Sequence, residues 1–215
     1  MANWVDQDLH VVGRKTDLDR FIRTGFTRQR RGEWSDQLHL DKLCPRRRGE
    51  QRDSDQPATA IVLGQVRTRT QALFSIQTRN VYPDAFYRRL PKKWPALSFV
   101  ASVNEDMSNF GGVVMVLDGE VTDLVRSYGP KYDRRGHGRE VRRAAKRWGD
   151  FLTAERPWCV VPKKAIEPGS VPFDAHFDDN FWFFLRTREE MAAFRAHYGA
   201  VRSMRRVDGK WRGTR

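Results

Sequence analysis

The chain is poor in cysteine: Cys44 and Cys159 are its two thiols in 215 residues. They have neither metal-ligand spacing nor the number for a disulfide framework, and the expected setting is a reducing cytoplasm. No apolar run approaches the roughly 20 residues that a membrane helix needs. The opening MANWVDQDLH has no basic stretch leading into an apolar one, so no signal peptide is expected. Gly-x-Gly-x-x-Gly, a Walker-type loop, Gly-x-Ser-x-Gly and His-Glu-x-x-His are all missing. No motif names a reaction, and the expectation is a soluble, non-enzymatic protein without a cofactor. Acidic charge is also short, with 27 Asp and Glu against 40 Lys and Arg, a net charge of +13 and a pI near 10.3.

What is present starts with enough apolar content to fold. A hydrophobic fraction of 39% with seven Trp argues against wholesale disorder and supports one large domain, or one domain with an appended module. Arg greatly outnumbers Lys, and its planar fork suits bidentate contacts to phosphate or carboxylate. Such a balance favours nucleic acid or another acidic partner; an arginine-rich codon bias is the bland explanation.

The stretch from Trp94 to Tyr128 holds most of the structural information. Leu97, Phe99, Ala101 and Val103 alternate with Ser98, Val100 and Ser102, the period of a half-buried strand. After a polar turn at 104–109, a second strand is expected over Gly112–Leu117. Asp118-Gly119 supplies the two positive-φ positions of a tight hairpin, and a third strand is expected over Glu120–Tyr128. Upstream, Val5–Val12 reads as a strand. A helix follows, capped at Thr16-Asp17, with Leu18, Phe21 and Ile22 on its apolar stripe and Gly25 as its stop. Further strands are expected over Ala60–Val66 and Gln71–Thr78, and a short helix begins at Pro83 with Phe86 and Leu90 facing inward.

These residues carry a family resemblance. Pro83, Phe86, Leu90, Trp94, Pro95, Leu97, Phe99, Glu105, Phe110, Gly111 and Gly119, with Asn3, Trp4, Leu9, Val11, Gly13 and Phe21 near the start, resemble the YubB-type ferredoxin-like domain of uncharacterised plasmid and phage proteins. The likeness covers residues 1–26 and 76–128, and the family's Trp-Gly-Thr-Lys-Trp segment is absent from Leu63–Ser75. It implies a βαββαβ core without an iron–sulfur cluster, and a home on a mobile genetic element. The expected architecture is therefore α+β: a ferredoxin-like core over 1–128 with a mainly antiparallel sheet and helices on one face, and an extension over 129–215.

Two regions depart from that core. Residues 27–57 form a polar insertion with basic clusters at Arg28, Arg30 and Arg31 and at Arg46, Arg47 and Arg48. It reads as an arginine-rich arm that orders on nucleic acid, or as a solvated insertion whose acids cancel its charge. Beyond the Gly-rich basic turn 129–138, a helix is expected from Arg139. Its Arg139, Arg142, Arg143, Lys146 and Arg147 gather on one side, opposite Val141, Ala144, Ala145, Trp148, Phe151 and Leu152. Five cations without acidic partners at i,i+4 cost such a helix stability, which a polyanionic partner would offset. The tail reads as a βαβ unit: a strand over Phe181–Leu185, a helix with a Thr187–Glu190 capping box, and a Val201–Val207 strand turning at Asp208-Gly209. With Trp158–Val161 it either completes the first sheet, the favoured reading, or forms its own.

Candidate chemistry is sparse. Asp174, His176, Asp178 and Asp179 form a carboxylate-rich loop that could hold a divalent metal for a nuclease, though these are also ordinary loop residues. Cys44 beside Arg46 is a weak candidate for a lowered thiol pKa. Glu105 is more simply an acceptor for backbone N–H groups. Arg88 and Arg89, with Lys92 and Lys93, lie beside Tyr87 and Trp94, a mixture suited to stacked bases and held phosphates, though such aromatics are more often core. The favoured function is docking on nucleic acid, DNA or RNA, through the Arg139–Arg147 face, with the two arginine clusters helping. The rivals are an inhibitor or adaptor that binds an acidic host protein, the metal-dependent nuclease, and a structural subunit.

Overall fold

A computed structural model describes residues 3–28, 36–45, 57–67, 70–105, 107, 109–154, 158–162, 183–185, 188, 192, 195–196, 201–207 and 210–213. The chain is mixed α+β and divides into two compact units, 1–144 and 145–215. In order, the first unit holds β1 (Trp4–Gly13), α1 (Lys15–Gly25), β2 (Phe26–Thr27), β3 (Asp36–His39), α2 (Leu40–Leu43), β4 (Thr59–Arg67) and β5 (Gln71–Arg79). Then come α3 (Asp84–Lys93), β6 (Leu97–Glu105), β7 (Phe110–Leu117), β8 (Glu120–Asp123) and β9 (Arg126–Ser127), and α4 (Arg134–Ala154) runs across the division.

The strands of the first unit make one antiparallel sheet in the order β2-β3-β4-β5-β1-β6-β7-β8, with β9 pairing β7. Period-two alternation decides which side is which. In β1 the odd residues Val5, Gln7, Leu9 and Val11 are buried on one face, with Phe74 and Ile76 of β5 and Phe99, Ala101 and Val103 of β6. Leu18 and Phe21 of α1, Leu40 and Leu43 of α2 and Phe86, Tyr87 and Leu90 of α3 belong to the same buried cluster. Three helices thus cover one face. Phe21 is its centre, its ring 5.3 Å from Trp94 and 5.5 Å from Phe99, and full burial of such a side chain stabilises by roughly 1.5–3 kcal/mol. A buried polar chain crosses this layer: the Tyr87 hydroxyl donates to Gln7 at 2.8 Å, and the Gln7 amide to Thr78 at 3.0 Å.

Several local expectations change. Thr16 lies inside α1, whose first turn has no side-chain cap; Asp17 instead pairs with Arg14 at 3.0 Å. Gly25 ends no helix by left-handed geometry. A Cβ there would run into the Leu43 side chain, so the glycine serves the α1–α2 approach. The insertion is partly structured: β3 pairs with β4, and Leu38, Leu40, Leu43 and Cys44 are buried. The hairpin at Asp118 (φ 53°) and Gly119 (φ 80°) forms as expected. The strand after it breaks at residues 124–125, because Gly112 (φ 148°) lets the Leu124 backbone approach closely and the Leu124 N–H bonds to Val113.

The second unit contains β10 (Trp158–Pro162), β11 (Phe183–Leu185), β12 (Val201–Val207) and β13 (Lys210–Gly213). They form a four-stranded antiparallel sheet of their own, β11-β10-β12-β13, rather than adding strands to the first. Val207 pairs with Lys210, the register of the expected hairpin. The Thr187–Glu190 capping box lies outside the described residues. No helix among the described residues is long and apolar enough to cross a membrane.

Candidate nucleic-acid interface

Helix α4 begins five residues earlier than its charge pattern suggests. The Asp133 carboxylate caps it, its Oδ1 accepting the backbone N–H groups of Arg135 (3.1 Å) and Gly136 (2.9 Å), two donors that a helix start otherwise leaves unmet. A Cβ at Gly136 would run into that carboxylate. Asp133→Ala, which removes the cap, is expected to lower stability by about 1 kcal/mol in chemical denaturation.

His137 ties this start to the preceding strands. Its Nε2 lies 2.6 Å from the Leu124 carbonyl. A carbonyl only accepts, so Nε2 carries a proton, and Nδ1 hydrogen-bonds with the Tyr132 hydroxyl. The Tyr132 ring touches His137 edge-on and lies 4.8 Å from the Tyr128 ring. Tyr128 is 39% exposed, and what burial it has, with Tyr132 beside it, raises its hydroxyl pKa. Between Tyr132, His137 and the turn at 129–131 opens a cleft of about 630 Å³, lined by Arg126, Ser127, Pro130, Lys131 and Glu140 among others.

The segment that carries the cleft is basic, while the lining itself holds two cations, Arg126 and Lys131, and two anions, Asp133 and Glu140. Residues 126–144 carry seven cations, Asp133 and Glu140 being the two anions, and Asp133 is committed to the cap. Arg126 is exposed and spends one terminal nitrogen on the Asp123 and Val125 carbonyls, at 3.1 and 3.0 Å. Arg139, Arg142, Arg143, Lys146 and Arg147 are all exposed, whereas Ala144, Trp148 and Leu152 are buried. Two details depart from the expected helix: Ala145 is exposed, and Lys146 has an i,i+4 acidic partner, Asp150, at 2.6 Å.

Arg28 is exposed; Arg30, Arg31, Arg46, Arg47 and Arg48 lie outside the described residues. Arg88 pairs with Asp84 at 2.9 Å, and Arg89 is half-buried beside Leu40 and Cys44. Tyr87 and Trp94 are core, 1% and 3% exposed, with the Trp94 indole N–H bonded to the Leu43 carbonyl, so they offer no ring to a base. Asp174, His176, Asp178 and Asp179 lie outside the described residues, and no metal-holding group of His, Cys, Asp and Glu occurs among those described. Cys44 is buried, and desolvation pushes its thiol up to about 12 despite Arg89 and Lys93; a surface nucleophile it is not. Glu105 is the expected structural acceptor, buried and taking the Asn109 N–H at 3.0 Å.

The sheet face away from α1, α2 and α3 is acidic and polar along its central strand. Asp6 accepts from the Gln77 amide at 2.7 Å. Asp8 accepts from the Ser75 and Ser102 hydroxyls at 3.2 and 3.1 Å, one on each neighbouring strand. Desolvation dominates over those two bonds and raises Asp8 to about 6, with Asp6 adding to the rise. A sheet that stacks single-stranded RNA displays aromatics on its face; carboxylates here repel phosphate instead.

The sequence pattern that reaches the cleft is thin. Tyr132 and His137 both line it, but their five-residue spacing matches neither helix nor strand periodicity. Comparison with known proteins finds no matching family model, no similar curated protein and no similar solved structure.

Proposed function

We propose that this chain is a non-enzymatic binding protein that docks on nucleic acid through the basic face of α4. The observation that carries this reading is the placement of Arg139, Arg142 and Arg143, exposed together on one helix. Stability alone disfavours so many cations on this part of the helix. The first turn of α4 adds Arg134 and Arg135, which the positive end of the helix dipole disfavours by about 0.3–1 kcal/mol each, with the Asp133 carboxylate at the cap as the anion beside them. A polyanionic partner offsets that repulsion. The overall charge of +13 adds long-range attraction to a polyanion.

The strand order β4-β5-β1-β6, with α1 between β1 and β4 and α3 between β5 and β6, supports a ferredoxin-like core. With the YubB-type resemblance, it supports a protein of a plasmid or phage acting in the cytoplasm. The test is direct titration of labelled duplex DNA, single-stranded DNA and RNA at low salt, with polyglutamate as competitor. Nucleic-acid binding that polyglutamate displaces poorly supports this reading. Equal displacement at equal charge concentration moves the partner to an acidic protein surface.

A further inference from the structure

Resting on that reading, we propose that the cleft between the 129–131 turn and α4 receives an unpaired base, so that the ligand is a single strand. The cleft's volume, about 630 Å³, lies within the range of small-ligand sites and accommodates a base with its sugar. Its wall includes Tyr132, an aromatic ring of the kind on which bases stack without regard to sequence. The ring is fixed rather than free: its hydroxyl bonds to His137, and His137 in turn bonds to Leu124. A ring already held in place loses little entropy on stacking.

Charge complementarity identifies the rest of the ligand. Lys131 lines the cleft and is exposed, and Arg126 retains guanidinium donors beyond the nitrogen it spends on carbonyls. Both suit the phosphates flanking an inserted base. Glu140 also lines the cleft. Its carboxylate repels phosphate and accepts from base N–H groups, as acidic side chains do when they read bases. A base-paired strand cannot supply this arrangement, because its bases are stacked and their N–H edges are occupied. The acidic central strand of the sheet, Asp6 and Asp8, offers no competing platform.

The test compares an oligo-dT of about 12 nucleotides, within the span of known single-strand grooves, with a duplex of equal length. Single-strand binding tighter than duplex binding is expected. Tyr132→Leu should weaken it about tenfold, while Tyr132→Phe, which keeps the ring, retains most of it. A second measurement needs no variant: oligo-dT carrying 5-iodouracil, irradiated on the wild-type protein, should crosslink to Tyr132. Equal affinity for the two strand types, or crosslinks confined to other residues, overturns the base-binding cleft and leaves docking through α4 standing. Absence of binding to either oligonucleotide removes the nucleic-acid reading and this inference with it.

Discussion

Replacing Arg139, Arg142 and Arg143 together with Gln is expected to weaken nucleic-acid binding about a hundredfold at moderate salt, without loss of fold. All three are exposed, so removing them exposes no core. Each phosphate neutralised contributes about −0.9 to the log–log salt slope on duplex DNA and about −0.7 on a single strand. The triple variant should therefore lose about 2 units of slope on a single strand, and its affinity should approach that of the wild type as salt rises. Lys146 is a poorer choice, because its pairing with Asp150 already offsets part of its charge. An unchanged slope in a folded variant would take the binding face away from α4.

Asp8→Asn is expected to stabilise the protein by about 3 kcal/mol near neutral pH. The wild-type carboxyl titrates at about 6 in the folded chain and near 3.9 when unfolded. Between those values the folded state binds more protons than the unfolded one, so stability falls as pH rises. The loss begins near pH 4, is complete slightly above pH 6 and amounts to about 1.4 kcal/mol for each unit of displacement. Asn removes the ionisable proton and keeps one acceptor and one donor for Ser75 and Ser102. Urea denaturation of both proteins from pH 4 to 8 checks this: the curves should converge at the acid end and separate through pH 5–6. A constant gap across the range would mean that the substitution acts through packing and not through charge.

Asp8 also marks where the sequence stops being readable. Its alternation with Gln7 and Leu9 assigns it to the face opposite the helices, which is where it lies. Its desolvation depends on β5 and β6 closing in from both sides, a nonlocal fact. Features set within a few residues were legible: the Asp118-Gly119 hairpin, the β6 alternation and the α3 stripe of Phe86 and Leu90. The start of α4 was not, because Gly136 and Gly138 are weak helix formers. What holds them in the helix is the Asp133 cap together with the His137 bond to Leu124. Leu38, Leu40 and Leu43 were hidden for a related reason: they are few and scattered among charges, and pairing of Leu38 with β4 and the short turn of α2 that follows give them their place. Of the candidate interface, the cationic side of α4 could be read from helical spacing. The cleft could not, since Tyr132, His137 and Arg126 come from a turn, a helix and a strand end.

The salt dependence of wild-type binding tests the central claim most directly. Dissociation constants for oligo-dT and for duplex DNA would be measured by fluorescence anisotropy from low to physiological salt. The expected result is binding with a log–log slope steeper than about −2, as three or more phosphate contacts require. A folded protein that binds neither strand type at low salt, or binds with a slope near zero, would contradict electrostatic docking on nucleic acid.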